Sequence, residues 1–133
     1  MNQQLDSSPV QVLVVDDHAL FVESLRARFE QDDRFEVVGT AADGRAAVKL
    51  ARAHEGAVVL MDLSMPGLDG LAATRRLRAL EAPPHVIALS GHLDRLSREA
   101  AEEAGADAFV SKATAFDELA ETILRVCGRT APA

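Results

Sequence analysis

Short apolar runs alternate with amphipathic segments along most of this 133-residue chain. The runs are almost continuously apolar and rich in Val, Leu, Ile and Ala, and turn-forming or charged residues bound them, which is typical of buried β-strands. The pattern predicts five strands, at residues 10–15, 35–40, 57–61, 85–90 and 106–111.

The segments between these runs repeat apolar residues at every third or fourth position, which is the spacing of a helix face. They predict helices at residues 19–32, 45–54, 71–80, 94–104 and 116–127. Gly105 ends the fourth helix, and Thr114 with Asp117 resembles a capping box before the fifth. The fourth helix has a thin apolar stripe, which suits an element of low local stability. The stripe consists of Leu93, Leu96, Ala100 and Ala104.

Strands that are apolar throughout belong to a sheet that is covered on both faces, and such sheets are mostly parallel. Right-handed crossovers through the helices then give an α/β fold with a doubly wound, five-stranded parallel sheet and helices on both faces. We expect an N-terminal extension at residues 1–9, one domain at 10–127, and a tail or linker start at 128–133.

Composition narrows the class of function. The formal charge of −7, from 21 acidic and 14 basic residues, argues against direct nucleic-acid binding, which depends on Lys and Arg neutralising phosphates. It suits a divalent cation or a basic partner. A single cysteine, Cys127, excludes a disulfide within the chain. There is no apolar run of about 18 residues and no secretory signal, so we expect a cytoplasmic domain without membrane association.

Side chains that can do chemistry stand at the carboxyl ends of four predicted strands, and in a parallel sheet these ends share one edge. They are Asp16, Asp17, Asp62, Ser90 and Lys112. Each alone has a simpler explanation as a helix cap, a turn residue or a surface charge, but together they indicate a site. The second strand ends without a charge, which predicts an edge strand.

Carboxylates gathered at one edge repel each other unless a cation compensates. Oxygen ligands favour a hard cation, with Mg²⁺ the expected choice, and no Cys or His cluster has the spacing of a zinc site. A metal, a carboxylate, a lysine and a small hydroxyl are what phosphoryl transfer to a carboxylate requires.

Four segments resemble the receiver domain of two-component response regulators, and the resemblance covers about residues 10–127. They are VLVVDDH, VLMDLSMPGLDG, ALSGH and GADAFVSK. The forms VVDDHALF and DLSMPGLDG are most similar to the LuxR/NarL-type subfamily. The resemblance implies the flavodoxin-like strand order 2-1-3-4-5.

The resemblance assigns the phosphoryl and metal chemistry to specific positions. Asp62 matches the phosphoacceptor and Asp17 a direct Mg²⁺ ligand, while Asp16 matches an acid that acts on the metal mainly through water. The backbone carbonyl of Ser64 is expected to complete the protein ligands. Ser64 and His92 match positions where family members carry side chains that tune the lifetime of the phosphoryl group. For His92 the preferred alternative is a solvated loop histidine.

The resemblance also assigns the residues of a switch. Ser90 matches the switch hydroxyl, Lys112 the lysine of the motif, and Phe109 the aromatic switch residue, for which core packing is the alternative. Family members commonly have a cis proline after the lysine. Here the residue is Ala113, and a cis bond to it would cost about 3–4 kcal/mol.

The histidines at the helix ends carry no metal role in this interpretation. His18 is expected at a helix start and His54 on a helix face.

The implied function is a phosphorylation-activated signalling switch. A sensor histidine kinase donates a phosphoryl group to Asp62 with Mg²⁺ present, and the face formed by the fourth helix, fifth strand and fifth helix changes its partner affinity. The protein catalyses only its own phosphorylation and dephosphorylation. A DNA-binding output domain is expected outside this chain. Homodimerisation on phosphorylation is compatible with the resemblance, although the sequence has no obvious apolar patch for it.

Three alternatives remain open at this point. A phosphohydrolase of the haloacid dehalogenase type would place Asp-x-Asp after the first strand, whereas Asp16 and Asp17 are adjacent. A flavodoxin-like cofactor carrier would need a phosphate-cradling loop there, and that loop has acids and no glycine. A pseudo-receiver that has lost phosphorylation is disfavoured by the intact acids and Lys112.

Overall fold

The computed structural model describes residues 8–65, 70–91 and 95–128. The strands are β1 (Val10–Val15), β2 (Phe35–Ala41), β3 (Val58–Asp62), β4 (His85–Ser90) and β5 (Ala108–Ser111). The helices are α1 (Ala19–Glu30), α2 (Gly44–Ala53), α3 (Gly70–Arg78), α4 (Arg95–Ala104) and α5 (Phe116–Val126). The strands form a parallel sheet in the order β2-β1-β3-β4-β5, which confirms the predicted fold class and strand order.

Two apolar clusters cover the two faces of the sheet. Side chains of α1 and α5 pack on one face, against residues such as Val12, Leu60 and Ile87. Side chains of α2 and α3 pack on the other, against residues such as Leu13 and Met61. All five residues of β3 are buried, as the continuous apolar run predicted. No helix among the described residues is both long and apolar enough to cross a bilayer.

Three phenylalanines tie the α1–α5 face together. The Phe29 ring centroid lies 5.2 Å from that of Phe35 and 5.0 Å from that of Phe116, both in edge-to-face geometry. Edge-to-face pairs add about 0.5–1.5 kcal/mol beyond their buried area. This cluster therefore joins α1, β2 and α5 on one face of the sheet.

The predicted element boundaries are confirmed for β1 and β4 and shift by one or two residues elsewhere. β5 begins at Ala108 because the preceding Asp107 does not continue the regular ladder. Its main-chain N–H donates to the Val86 carbonyl at 2.7 Å, and its Oδ2 accepts from the Val86 N–H at 2.8 Å. α2 begins after Asp43, whose side chain accepts from the Ala46 N–H at 2.9 Å.

The predicted apolar stripe of α4 is wrong in part. Leu96 is 78% exposed, and the buried residues of this helix are Ala101 and Ala104. The helix contacts α3 and β5, and its small side chains allow that close approach while Leu96 faces outward. Leu93 lies outside the described residues, as do the Pro66-Gly67 turn, His92 and residues 129–133.

The capping box predicted at the start of α5 does not form. The N-cap position falls on Ala115, which has no side-chain cap. Thr114 lies one residue earlier, and its N–H donates to the Ser111 carbonyl at 3.0 Å. Asp117 therefore stands in the first turn of the helix, where its negative charge interacts favourably with the positive end of the helix dipole. Gly105 ends α4 as predicted, with a φ of 103°.

The first residue of α3 fits directly against the backbone that follows β3. A Cβ on Gly70 would overlap the Asp62 carbonyl oxygen and lie 2.7 Å from Leu63 Cα. The Gly70 carbonyl in turn accepts the buried Thr74 hydroxyl at 2.7 Å. Only glycine allows this close approach, so Gly70 fixes the main chain on which Asp62 stands.

We expect Gly70→Ala to lower the free energy of unfolding by about 1–3 kcal/mol, because the added methyl group must displace backbone atoms. Gly91→Ala is the matched control, since nothing lies within 4 Å of an added Cβ there. Urea unfolding in EDTA would measure both variants. Equal stability of the two variants would contradict the close approach at Gly70.

Candidate functional site

Main-chain hydrogen bonds extend the ladder past the strand ends and carry three site residues to one edge. The Asp16 N–H donates to the Ala41 carbonyl at 2.9 Å, and the Leu63 N–H after Asp62 donates to the Leu89 carbonyl at 3.0 Å. The Lys112 N–H donates to the Ser90 carbonyl at 2.9 Å. The positions of Asp16, Asp62 and Lys112 are therefore set by the sheet itself.

Lys112 brings one positive charge to two buried carboxylates. Its Nζ lies 2.6 Å from Asp16 Oδ2 and 3.4 Å from Asp62 Oδ1. Both aspartate side chains are fully buried, whereas that of Lys112 is 18% exposed. The contact with Asp16 is a close ion pair rather than an aligned hydrogen bond, because Asp16 Oδ2 has no hydrogen-bond partner.

Asp62 uses one carboxylate oxygen to shape the turn and leaves the other without a partner. Its Oδ1 accepts from the Ser64 N–H at 3.1 Å. Its Oδ2 is buried and accepts no hydrogen bond from any described residue. Asp62 is thus a turn residue, but one of its carboxylate oxygens is buried without a hydrogen bond from the described residues. A purely structural role does not explain such an oxygen.

The two buried aspartates have opposite pKa shifts. Burial alone would raise the pKa of Asp16, but the ion pair with Lys112 and the hydrogen bonds with His18 outweigh it and leave the pKa below its usual value. Burial raises the pKa of Asp62, and the charge of Asp16 adds to this, while the Ser64 N–H and Lys112 offset it only in part. The two carboxylates thus compete for one ammonium group.

His18 belongs to this cluster, although the sequence pattern indicated only a helix-start residue. It is the N-cap of α1 but makes no side-chain cap. Its Nδ1 lies 2.8 Å from Asp16 Oδ1, 3.2 Å from Lys112 Nζ and 3.9 Å from Asp62 Oδ2. The Asp16 Oδ1 also accepts from the His18 N–H at 2.9 Å. Asp16 therefore orders the residue before α1 instead of capping the helix.

Four side chains could hold a metal ion together. Asp16, Asp17, His18 and Asp62 each offer one ligand atom, and these atoms lie within 4.8 Å of one another. Two buried carboxylate oxygens without hydrogen-bond partners point to the same need, because a cation would satisfy them. The donor set fits a divalent cation.

The other predicted residues surround this cluster at different depths. Ser90 is buried at the end of β4 and pairs in register with Ser111. Ser64 is exposed in the turn after β3. Phe109 is half-buried, and the Arg98 guanidinium of α4 stands 5.0 Å from its ring centroid. His54 is the C-cap of α2, on the side where β3 begins, so it does not join the site.

The loop after Lys112 has a path that needs no proline. The Lys112–Ala113 bond is trans, as are all the described peptide bonds. The Ala113 N–H donates to Ser111 Oγ at 3.0 Å. Ser111 therefore shapes this loop, a role that was not predicted from the sequence. Its position next to Lys112 at the end of a predicted strand was the feature that could have indicated the role.

Comparisons with known proteins agree with this geometry. The family pattern described as the response regulator receiver domain matches residues 12–124. Response regulator UvrY of Escherichia coli K12 is 38% identical over 117 residues, which cover 88% of this chain and 54% of that protein. The transcriptional regulatory protein DegU of Brevibacillus brevis is 33% identical over 123 residues, covering 92% and 52%. This chain therefore spans about half the length of these relatives.

Solved structures show the same fold. The receiver domain of NarL from Mycobacterium tuberculosis matches with a TM-score of 0.86 and 34% identity, covering 91% of this chain and 98% of that one. A LuxR-family response regulator from Aurantimonas matches with a TM-score of 0.82 and 32% identity, covering 94% and 90%. A chain from the CheX–CheY–BeF3–Mg²⁺ complex of Borrelia burgdorferi matches with a TM-score of 0.79 and 26% identity, covering 89% of each.

The match of the family pattern extends over most of the chain and includes the strand ends that carry the acidic cluster and Lys112. The relatives are transcriptional regulators of the LuxR/NarL type. The chain belongs to the response regulator receiver domain family.

Proposed function

We propose that this chain, with residues 10–127 as its receiver domain, accepts a phosphoryl group on Asp62 in the presence of Mg²⁺ and thereby switches its affinity for a partner. The observation that carries the proposal is the buried Asp62 Oδ2, which has no hydrogen-bond partner inside a cluster of two more carboxylates and a lysine. An oxygen without a partner is available as a nucleophile.

The acidic cluster suits Mg²⁺ as the resident cation. Asp17 and Asp62 would contact it directly with the Ser64 carbonyl, and Asp16 would act mainly through water. When bound, the cation offsets charge on the carboxylates and on the phosphoryl oxygens. A chain of similar fold comes from a CheX–CheY–BeF3–Mg²⁺ complex. This supports binding of Mg²⁺ and of a phosphoryl group by the present chain.

In the phosphoryl transfer the protein contributes the Asp62 nucleophile and groups that compensate negative charge. The P–N bond of a phosphohistidine breaks as a P–O bond to Asp62 forms, and the imidazole of the donor leaves. Lys112 Nζ, 3.4 Å from Asp62 Oδ1, is placed to offset the negative charge on the phosphoryl group. Ser90 stands on the neighbouring strand and supplies a hydroxyl to a phosphoryl oxygen.

The switch would connect this site to α4, β5 and α5. Ser90 and Ser111 pair across β4 and β5, so a movement of Ser90 toward a phosphoryl group bears directly on β5. Phe109 lies on that strand, half-buried and covered by Arg98. The helix α4 buries only two alanines, so rearranging it costs little apolar contact.

The partners follow from the relatives as proposals. A sensor histidine kinase would supply the phosphoryl group. The region that matches this chain is about half of each relative, and DegU is a transcriptional regulatory protein, so the output would be a DNA-binding domain beyond the matched region. Homodimerisation on phosphorylation is a further proposal.

We expect acetyl phosphate with Mg²⁺ to add one phosphoryl group to the protein, as measured by intact mass. Asp62→Asn should abolish the gain, because it removes the nucleophile, and EDTA should do the same. Asp33→Asn, at an exposed aspartate outside the site, is the control and should be phosphorylated normally. No gain in the unmodified protein would favour the pseudo-receiver alternative, and turnover of a phosphate ester in excess over protein would favour a phosphohydrolase.

We expect Asp62→Asn to stabilise the metal-free protein, with an advantage that grows as pH rises above about 4. The folded protein holds the pKa of Asp62 above its unfolded value, so ionisation removes stability as pH rises through the folded pKa. The variant has no such loss and should gain about 1–3 kcal/mol at neutral pH, the scale of an unsatisfied buried group.

Urea unfolding in EDTA at several pH values would measure this difference. Asp33→Asn should show no comparable trend. A stability gap that shrinks with rising pH would contradict the raised pKa.

We expect beryllofluoride with Mg²⁺, a stable stand-in for the phosphoryl group, to shift the amide resonances of α4 and β5 more than those of α2. Ser90→Ala should still be phosphorylated by acetyl phosphate but should show smaller shifts at Phe109, because the hydroxyl that follows the phosphoryl group is missing. Two-dimensional NMR would test this. Equal shifts on both faces would reject the proposed coupling.

A further inference from the structure

The ring of His18 presents a nitrogen, rather than a carbon edge, to the acidic cluster. Nδ1 lies 2.8 Å from Asp16 Oδ1, 3.4 Å from Asp17 Oδ1 and 3.9 Å from Asp62 Oδ2. The side chain is 62% exposed, so burial does not force this orientation. A hydrogen bond with Asp16 Oδ1 at 2.8 Å and the Lys112 Nζ at 3.2 Å hold this nitrogen beside the carboxylates.

These separations match the spacing of ligands around one small divalent ion. Metal–nitrogen and metal–oxygen bonds of about 2.0–2.2 Å place neighbouring ligand atoms roughly 3.0–3.5 Å apart. The distance from His18 Nδ1 to Asp17 Oδ1, 3.4 Å, lies within that range. The distance to Asp16 Oδ1, 2.8 Å, is slightly shorter and the distance to Asp62 Oδ2, 3.9 Å, is slightly longer. Small side-chain rotations would bring all of them into a coordination sphere.

A second observation points independently to a ligand at this place. Asp62 is fully buried, and its Oδ2 has no hydrogen-bond partner among the described residues. This oxygen lies 3.9 Å from His18 Nδ1. A cation between Nδ1 and the carboxylates would satisfy it.

The nitrogen changes which cation the group prefers. Mg²⁺ favours oxygen ligands and retains several waters, so an imidazole adds little for it. Zn²⁺ takes imidazole nitrogen together with carboxylate oxygen and binds N/O sites more tightly than the earlier divalent metals. We propose that His18 Nδ1, with the carboxylates of Asp17 and Asp62, forms a mixed nitrogen–oxygen site that binds Zn²⁺ in preference to Mg²⁺.

This site would regulate the switch by exclusion. Asp17 and Asp62 would serve both cations, so Zn²⁺ and Mg²⁺ cannot be bound together. The Zn²⁺ form also engages the Asp62 oxygen that the proposed phosphoryl transfer needs. Zinc binding itself does not depend on phosphorylation of Asp62, so the two proposals stand or fall separately.

Calorimetric titration of the metal-free protein with Zn²⁺ and with Mg²⁺, without any phosphodonor, tests the proposal. His18→Asn is the key variant, because asparagine replaces the nitrogen ligand by an amide oxygen and remains a good N-cap residue. We expect it to lower the preference for Zn²⁺ over Mg²⁺ by at least about 10-fold, the scale of losing support at a metal site. His54→Asn, at the C-cap of α2, is the matched control and should keep the preference of the unmodified protein.

Two further measurements locate the ion. Increasing Mg²⁺ should raise the apparent Kd for Zn²⁺ in proportion, as competition for shared ligands requires. Co²⁺ bound in place of Zn²⁺ should show visible absorption bands that change in His18→Asn and persist in His54→Asn. An unchanged preference for Zn²⁺ over Mg²⁺ in His18→Asn, or an equal loss of that preference in His54→Asn, would overturn the proposal. An apparent Kd for Zn²⁺ that does not rise with Mg²⁺ would overturn it as well. Phosphorylation by acetyl phosphate, measured separately, reports on the proposed function alone.

Discussion

Among the described side chains, the ammonium group of Lys112 lies close to two fully buried carboxylates at once. It lies nearer to Asp16 than to Asp62, so the two acids are not neutralised equally. Burial acts to raise the pKa of both acids. At Asp16 the contacts with Lys112 and His18 outweigh burial and its pKa falls, whereas at Asp62 burial prevails and its pKa rises. This arrangement leaves buried negative charge that a further cation would compensate, and the proposed binding of a metal and then of a phosphoryl group rests on that charge.

The parallel sheet supplies the arrangement at low conformational cost. Asp16, Asp62 and Lys112 each stand where a strand ends, and ladder hydrogen bonds to the adjacent strand fix the main chain at or just beyond each position. Apolar strand residues behind them exclude water from one side of the site, which strengthens every charge interaction within it. The close approach of Gly70 to the backbone after Asp62 adds a further restraint.

The sequence alone predicts those features of the fold and of the site that depend on the local periodicity of apolar residues and on the shared edge of a parallel sheet. The bounds of β1 and β4 and the convergence of Asp16, Asp62 and Lys112 follow from those rules. The strand order 2-1-3-4-5 came instead from the resemblance to the receiver family, and the structure confirms it. Features that depend on the direction in which a side chain points could not be predicted from these two rules. The orientation of His18 toward the acids, the exposure of Leu96 and the displaced cap of α5 are decided by neighbours distant in the chain or by a one-residue shift of a helix start.

A comparison with Asp107 explains why position at a strand end is not enough to identify a functional acid. Asp107 stands at the opposite edge of the sheet, and its Oδ2 accepts the Val86 N–H at 2.8 Å, with Arg78 Nη1 at 3.4 Å. The Arg78 guanidinium also donates to the Pro84 carbonyl at 2.7 Å. Asp107 therefore finds its hydrogen bonds within the fold and joins β4, β5 and α3. Asp62 is buried more deeply and keeps an oxygen that no described residue satisfies. Because a buried polar atom without a partner costs free energy, its presence at Asp62 is better explained by a ligand or by chemistry than by stability.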